Sequence, residues 1–309
     1  MTAQTLAAAA VQVIGGVALA PLLPGTIQTW KARLQGRRGP SPLQPYRELR
    51  RLWSRSRVTP VPSSAIYELA PLVSAASALL ILLLLPVAST APGWGLGNDA
   101  FVLFGLLALG RFAIALAAWD TGSGFALMGA GRDLTFAVFA EALLLVVLVL
   151  LALPAGSTDL VAMDAAAADG AAWASPAQWA AVAGLLIVAL AETGRQPIDN
   201  PDTHLELTMV HEGPLLEYAG RDLALLQWTA AARHWIVLVL VAELALPHPG
   251  PFGVQLLALA TSLAVLVPLL AMIETAQAKL RILRVPLLLG GGLVLCLMGL
   301  AANLLGVSA

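Results

Sequence analysis

The fold of this protein is decided by a stretch that reads EALLLVVLVLLAL, residues 141–153. Twelve of its thirteen residues are apolar, and they do not alternate with polar ones. Strands of membrane β-barrels do alternate, so the stretch does not fit a barrel strand. A helix satisfies its own backbone hydrogen bonds inside a bilayer. We therefore predict a membrane-spanning helix that carries one acidic side chain, Glu141.

The composition of the whole chain supports this interpretation. Of its 309 residues, 59% are hydrophobic and only 11% are charged. A soluble domain has about 25% charged residues, so this chain lacks the polar surface that water requires. We expect an integral membrane protein that forms one domain over residues 1–309. It should contact a lipid bilayer and should not bind nucleic acid.

Eight segments have the length and apolar character of bilayer spans, which need about 20 residues each. They are roughly 4–24, 65–88, 100–119, 134–154, 177–193, 226–246, 252–275 and 285–306. The predicted fold class is therefore all-α, a polytopic membrane protein with about eight transmembrane helices.

The positions of the basic residues predict how these spans are oriented. With eight spans and both termini in the periplasm, all 17 Lys and Arg residues fall on the cytoplasmic side or in the inner halves of spans. This distribution obeys the positive-inside rule. The predicted cytoplasmic loops are about 31–60, 120–133, 194–225 and 276–284.

The first of these loops holds nine basic residues. From Pro45 onward, Tyr46, Leu49 and Trp53 recur at helical spacing, which predicts an amphipathic helix lying at the membrane interface. Such a basic segment contacts anionic lipid, or serves as a docking surface for a cytoplasmic partner, and the two roles are compatible. The candidate interface residues in this loop are Arg37, Arg38, Tyr46, Arg50 and Trp53.

Several ionisable residues lie within or at the ends of the predicted spans. An acid such as Glu141 costs roughly 2.5–3.5 kcal/mol at the centre of a span, so it should face a polar interior. It serves either a proton path or a structural hydrogen bond to another helix. The full set is Glu68, Arg111, Glu141, Glu192, Arg233, His234, Glu243 and Glu274. Most lie in the inner halves of the spans, which predicts a polar cavity open toward the cytoplasm.

The connection at residues 192–222 reads ETGRQPIDNPDTHLELTMVHEGPLLEYAGRD. Arg195 follows Glu192 at i+3 and can pair with it if the helix continues. Thr203 and Glu206 form a capping-box pattern, which predicts a short amphipathic helix over 204–212.

A metal site within the chain is not expected. His204 and His211 are seven residues apart, about 10.5 Å along a helix, which is too far to share one metal ion. The chain has one cysteine, Cys296, in an apolar run. Its pattern is typical of a small hydrophobic side chain rather than a metal ligand.

The same connection resembles the loop between the fifth and sixth helices of the respiratory complex I subunit 1 family. That family has an E-T-x-R-x-P-x-D pattern there, followed by an acidic patch and then E-Y. The matching residues here are Glu192, Thr193, Arg195, Pro197, Asp199, Glu206, Glu217 and Tyr218. Residues 31–53 resemble the first inner loop of the family, and GRDLTFAVFAEALLL, residues 131–145, resembles its fourth helix.

Within that family, NPDTHLELTMVHE at 200–212 resembles the formate hydrogenlyase and hydrogenase-4 membrane subunits. His204 stands where quinone-reducing members have a further acid, and this departure makes quinone binding doubtful. The Glu141-Ala142 step also departs from the Glu-Pro of many relatives, and we assign it no consequence.

The resemblance implies a subunit that is not catalytic alone but belongs to a multisubunit oxidoreductase of the bacterial inner membrane. It would anchor a cytoplasmic nickel–iron hydrogenase module, a group 4 hydrogenase with large and small subunits and iron–sulfur proteins, and would contact antiporter-like membrane subunits. The nickel–iron centre and iron–sulfur clusters would belong to those partners. Two alternatives stay open: the quinone-site subunit of an NADH:quinone oxidoreductase, and a passive membrane anchor.

The resemblance also implies a coupling role for charged residues near the inner loop, which would link redox turnover to translocation of protons or sodium ions. The candidates for this path are Glu68, Arg111, Glu141, Glu192, Arg195, Asp199, His204, Glu206, His211, Glu212, Glu217 and Glu274. Asp202 and Tyr218 join the candidate partner interface.

Overall fold

A computed structural model describes residues 3–86, 98–168, 171–199, 210–245, 252–278 and 280–305. These ranges form an all-helical protein, as predicted, and their only strand-like pairing is a single bridge between Asp99 and Asp159. The helices are α1 Ala3–Leu19, α2 Leu22–Leu34, α3 Gln44–Trp53, α4 Ala65–Leu84, α5 Ala100–Asp120, α6 Gly124–Ala155, α7 Leu160–Ala168, α8 Pro176–Glu192, α9 Gly220–Ala245, α10 Phe252–Ala276 and α11 Val285–Leu304.

Fewer helices than the predicted eight meet the length and apolarity of a bilayer span. Six described helices do so individually: α4, α5, α6, α9, α10 and α11. The pair α1 and α2 adds a seventh if its two parts, bent by 45°, form one broken span. Helix α8 has 17 residues, about 26 Å at 1.5 Å per residue. That is shorter than the roughly 30 Å hydrocarbon core, so the count of eight is not confirmed.

Several predicted boundaries differ from the observed ones; for example, α9 begins at Gly220, within the predicted 194–225 loop. Helix α2 continues to Leu34, so Lys31 lies on a helix rather than in the first basic loop. Helix α6 begins at Gly124, so most of the predicted 120–133 loop is helical. Glycines weaken an isolated helix, but here Ala126, Gly129 and Ala130 are buried. Tertiary packing therefore offsets the low helix propensity of the glycines.

Helix α9 lies at the centre of the bundle. Every residue from Ile236 to Ala245 is buried, and the helix contacts α1, α2, α3, α4, α7, α8 and α10. Helices α4 and α5 pack closely together on one side, and α6, α8 and α11 pack together on another. Arg233 and His234 lie at the middle of α9, and their side chains are therefore in the interior of the protein.

The outer helices expose apolar side chains. Only 22% of the apolar window of α10 and 28% of that of α11 are buried. Among the exposed residues are Leu257, Val265, Leu287 and Met298. Apolar faces of this extent are costly in water and favourable in hydrocarbon, as expected of a protein embedded in lipid.

Candidate functional site

The largest group of ion pairs surrounds Arg111 of α5. Its Nη1 donates to Glu141 Oε1 at 2.9 Å, and its Nη2 donates to Glu192 Oε1 at 2.7 Å. Its Nε lies 3.8 Å from Asp133 Oδ2. The guanidinium thus joins carboxylates from the two helices α6 and α8. We call the complete group the Arg111 cluster: Arg111, Asp133, Glu141, Glu192, Asp199, His211 and Arg233.

Glu192 receives a second arginine on its other oxygen. Arg233 of α9 donates from Nη2 to Glu192 Oε2 at 3.0 Å, while the side chain of Glu192 is only 1% exposed. A carboxylate this deep needs paired charges and hydrogen bonds to offset its desolvation. The two guanidinium groups supply both, since each presents a planar set of N–H donors.

His211 connects the Arg111 cluster to the loop between α8 and α9. Its Nε2 lies 3.6 Å from Asp133 Oδ1, and its Nδ1 lies 3.5 Å from Asp199 Oδ2. The same Asp199 oxygen accepts from the backbone N–H of Val210 at 3.2 Å. Gly194, with φ of +59°, lies against the imidazole ring, where an added Cβ would stand 2.9 Å from Nδ1. The loop therefore folds back onto the bundle.

The carboxylates around His211 set its proton affinity. Burial lowers the pKa of His211, but its hydrogen bond to Asp199 and the charges of Asp133 and Asp199 outweigh this effect, so that the pKa is raised above its ordinary value. The charged form of the imidazole is favoured because it faces two acids. Of the described residues in the loop, His211 is therefore the one suited to change charge near neutral pH.

A second set of ion pairs surrounds Glu274 at the end of α10. Lys31 Nζ lies 2.7 Å from Glu274 Oε2, and Arg195 Nη1 donates to Glu274 Oε1 at 3.3 Å. Arg195 Nη2 also donates to His234 Nδ1 at 3.3 Å. All four side chains are buried. This Glu274 cluster joins the broken α1–α2 segment to the loop that follows α8.

The structure rearranges two of the predicted contacts. Helix α8 ends at Glu192 and Gly194 turns the chain, so Arg195 points to Glu274 instead of pairing with Glu192 at i+3. Six of the eight ionisable groups predicted to line an open cavity, all but Glu68 and Glu243, instead take part in the ion pairs and hydrogen bonds of the two clusters. Their attraction in a low-dielectric interior brings them together.

Glu68 is separate from both clusters, contrary to the expectation that it meets the other ionisable groups inside the bundle. Its side chain is 47% exposed and lies 3.6 Å from Arg57. Its neighbour Tyr67 is buried instead, because successive residues of a helix point about 100° apart. Glu212 and Glu217 are partly exposed in the loop before α9.

Helix α3 forms where it was predicted, from Gln44 to Trp53. Arg37 and Arg38, which precede it, and Arg50 and Trp53 within it are exposed. Tyr46 is half-buried, and its hydroxyl donates to the carbonyl of Ala18. That contact secures α3 to the end of α1 and leaves the arginines facing outward.

Tyr218, a candidate for the partner interface, lies in the core. Its ring stacks on Tyr67 with centroids 4.2 Å apart and an interplanar angle of 4°. Its hydroxyl donates to the carbonyl of Tyr67 at 2.9 Å, and the hydroxyl of Tyr67 donates to the carbonyl of Glu217 at 2.8 Å. The side chain of Tyr218 therefore joins the loop to α4 rather than facing solvent.

Three candidates from the same loop, Asp202, His204 and Glu206, lie outside the described residues. The predicted helix over 204–212 can be assessed only at its end, where Val210–Glu212 form bends and not a helix. A 3-10 helix at Gly213–Leu215 follows. For these last three residues the helix prediction is wrong, and the backbone N–H of Val210 donates to the side chain of Asp199 instead.

The sequence reasoning missed three residues. Asp133 lies two turns before Glu141 on the same helix, a spacing that could have identified it. The sequence predicts Lys31 in a basic loop, because apolarity alone does not show that α2 continues to Leu34. Gly129 approaches Gly213 so closely that a Cβ on Gly129 would stand 2.7 Å from the Gly213 Cα. The glycines of this region allow close helix packing, but the sequence does not show which segment packs against them: Gly122, Gly124, Gly129 and Gly131.

Comparisons with known proteins agree with this architecture. A family model described as NADH dehydrogenase matches residues 6–303. The chain is 38% identical to hydrogenase-4 component C of Escherichia coli (strain K12) over 250 residues, covering 80% of this chain and 77% of that protein. It is 32% identical to formate hydrogenlyase subunit 4 of the same organism over 272 residues, covering 86% and 88%.

Two further similarities are more distant. An NADH-quinone oxidoreductase subunit of Rhodospirillum rubrum is 27% identical over 202 residues, covering 62% of this chain and 58% of that protein. Among solved structures, a chain of the membrane-bound sulfane sulfur reductase, an archaeal respiratory membrane complex, superposes with a TM-score of 0.83. That match covers 96% of this chain and 98% of the other at 18% identity, and therefore concerns the fold alone.

Proposed function

Because the chain belongs to the NADH dehydrogenase family, which includes complex I subunit 1-like proteins, we propose that it is the membrane subunit of a formate hydrogenlyase- or hydrogenase-4-like complex. In this role it anchors a cytoplasmic nickel–iron hydrogenase module and couples the redox chemistry of that module to translocation of protons or sodium ions. The similarity to hydrogenase-4 component C and formate hydrogenlyase subunit 4 supports this choice over other members of the family.

The observation that carries the coupling role is a continuous set of charges from the inner loop to the interior. Asp199 lies beside His211, His211 beside Asp133, and Asp133 beside Arg111. Arg111 in turn holds Glu141, the acid in the long span α6. A change of charge or position at the loop therefore reaches a membrane-embedded carboxylate through adjacent groups.

The chemistry of this path follows from ordinary electrostatics. A nearby guanidinium favours the ionised form of a carboxylate, and its withdrawal favours proton uptake. Movement of Asp199 or His211 would alter the electrostatic forces on Arg111 and hence the proton affinity of Glu141. Glu192 stays between two arginines. Its negative charge is therefore fixed in position, and Arg111 moves relative to it.

The proposal assigns the redox cofactors to other subunits. The thiol of Cys296 is buried in α11, where it donates to the carbonyl of Ala180 at 3.4 Å. The nickel–iron centre and iron–sulfur clusters would be held by the hydrogenase large and small subunits and by iron–sulfur proteins. Arg37, Arg38, Arg50 and Trp53 would form a docking surface for these partners, and antiporter-like subunits would contact the chain within the bilayer.

The first experiment identifies the partners. The chain carrying an affinity tag would be extracted with a mild detergent and purified, and the co-purifying subunits identified by mass spectrometry. We expect a nickel–iron large subunit, iron–sulfur proteins and antiporter-like proteins. Recovery with NADH dehydrogenase subunits and no hydrogenase would contradict the proposal.

A second experiment separates coupling from anchoring. Glu141→Gln should leave the complex assembled and able to evolve hydrogen, while ion translocation into inverted vesicles falls strongly. Glu68→Gln is the matched control, because the same change at the exposed ion pair should leave translocation unaffected. Normal translocation in the Glu141 variant would favour a passive anchor.

A quinone-site subunit is the second candidate function, and the 27% identity to the Rhodospirillum rubrum NADH-quinone oxidoreductase subunit favours it. The Tyr67–Tyr218 stack and the Arg111 cluster would then lie near a quinone headgroup. Assay of the purified complex distinguishes the two functions. Quinone reduction without hydrogenase activity would support the second.

A further inference from the structure

A small internal cavity lies between α4, α5 and α9, next to the Arg111 cluster. It is lined by Ser74 and Ser77 of α4, by Gly110 of α5 and by Arg233 of α9, together with apolar side chains, and its volume is about 10 Å³. That volume corresponds to about one water molecule, at the lower limit of what a hydrated cavity requires. The ion pairs of the Arg111 cluster and of the Glu274 cluster do not involve this cavity.

Two residues that line the cavity each carry a buried polar atom without a hydrogen-bond partner among the described residues: Ser74, at Oγ, and Arg233, at Nε. Ser74 is 1% exposed. The hydroxyl of Ser77 already donates to the carbonyl of Val73 at 2.9 Å, but its oxygen can still accept. Buried polar groups are almost always satisfied by protein or by ordered water, so these atoms indicate an occupant.

The chemistry of the lining restricts what that occupant can be. The Nε–H of Arg233 needs an acceptor, which a sodium ion or another cation does not offer. A chloride ion accepts hydrogen bonds but is larger than the cavity. Water accepts from Arg233 and exchanges a hydrogen bond with the Ser74 hydroxyl, which is the usual role of an internal water.

We propose that one ordered water molecule occupies this cavity and joins Ser74 of α4 to Arg233 of α9. Nη2 of that arginine donates to Glu192, so the water accepts from the neighbouring Nε–H on the same edge of the guanidinium and positions Arg233 in the Arg111 cluster. The cluster thereby extends to α4, which contributes no charged side chain to it.

A glycine next to the cavity provides the test. A Cβ added to Gly110 would stand 3.6 Å from Ser74 Oγ and 3.6 Å from Ser77 Cβ. The Gly110→Ala methyl therefore fits without a clash and takes the space of the water. Gly105→Ala on the same helix is the control, because its Cβ would meet nothing within 4 Å and the gain in helix propensity is the same.

We expect a high-resolution cryo-electron microscopy map of the full chain, with its co-purifying subunits, to show density within hydrogen-bond distance of Ser74 Oγ and Arg233 Nε. The Gly110→Ala map should lack it and show a longer Arg233–Glu192 distance. The apparent Tm of Gly110→Ala should lie a few degrees below that of Gly105→Ala. An empty cavity in a map that resolves both side chains overturns the proposal, as does a Gly110→Ala variant as stable as its control. If Gly110→Ala does not assemble, the map of the unchanged protein decides alone.

Discussion

Glu192 shows at the scale of one residue how this protein keeps charge inside a membrane. Its carboxylate oxygens bind two arginines from different helices, α5 and α9. Neither arginine is near it in the chain, so the three helices must be assembled before the charges are paired. The stability of the bundle and the electrostatics of the Arg111 cluster therefore depend on the same contacts.

Glu192→Gln should destabilise the protein strongly. The neutral amide leaves two guanidinium groups in the interior without their shared counter-charge, and breaking a buried pair costs about 3–5 kcal/mol. Glu68→Gln, at the exposed pair with Arg57, should change the free energy of unfolding by less than about 0.5 kcal/mol. Thermal unfolding of the purified variants tests this, and equal Tm values would contradict it.

The pH dependence of stability should report on His211. Its pKa is raised by Asp199 and Asp133, so its stabilising contribution is complete below the ordinary value of about 6.5. The contribution is lost as the pH rises through the raised value in the folded protein. The Tm difference between the unchanged protein and His211→Gln should therefore be largest in acid and shrink toward alkaline pH.

The control for this experiment is Asp199→Asn, which removes one of the acids that raise the pKa of His211. In that background the difference made by His211→Gln should disappear at a lower pH. A difference that does not vary with pH would show that the imidazole contributes only through packing.

At the scale of elements, α6 and the segment before α9 meet through two glycines. An ideal Cβ on Gly129 would stand 2.7 Å from the Cα and 2.8 Å from the carbonyl carbon of Gly213. Because the obstructing atoms belong to the backbone, no side-chain rotation can relieve the contact. This close approach holds the inner loop against the helix that carries Asp133 and Glu141.

Gly129→Ala should therefore push the loop away from α6 and cost about 1–3 kcal/mol, as overpacking does. Gly131→Ala is the matched control, because an added Cβ there meets nothing within 4 Å and the helix gains slightly in propensity. Tm measurements on both variants give the comparison. If Gly129→Ala is as stable as Gly131→Ala, the contact is looser than the structure shows.

At the scale of the whole molecule, the basic loops and the exposed apolar faces define how the chain lies in the membrane. Our orientation places the loop containing Ser56 in the cytoplasm and the α6–α7 connection containing Ser157 in the periplasm. Both serines are exposed. They lie on opposite sides of the bilayer if the spans between them cross it as predicted.

A cysteine-labelling experiment tests this orientation. In intact cells a membrane-impermeant maleimide should label Ser157→Cys but not Ser56→Cys, and inverted vesicles should reverse the result. The native Cys296 is fully buried, so the unchanged chain serves as the unlabelled control. Labelling of both positions from one side would refute the orientation.

The sequence is sufficient to predict the membrane class, the all-helical fold, most helix positions and α3. These features follow from apolar content over about 20 residues and from helical periodicity, both of which are local properties of the chain. It also identified most members of the Arg111 cluster, since a charge in an apolar span is costly enough to require a partner.

The partner of each charged side chain, in contrast, follows from how the helices pack and not from the sequence pattern. Arg111 and Glu192 are 81 residues apart, and Arg195 and Glu274 are 79 apart. Several acids were available to each arginine, and the choice depends on how the helices cross and where α8 ends. The same applies to Lys31 and Tyr218. Their polarity predicts positions at the surface, whereas the packing of the helices buries both side chains. The free energy of transferring a segment into a membrane is nearly a sum over its neighbouring residues. Ion pairing between side chains, in contrast, is a property of the assembled bundle.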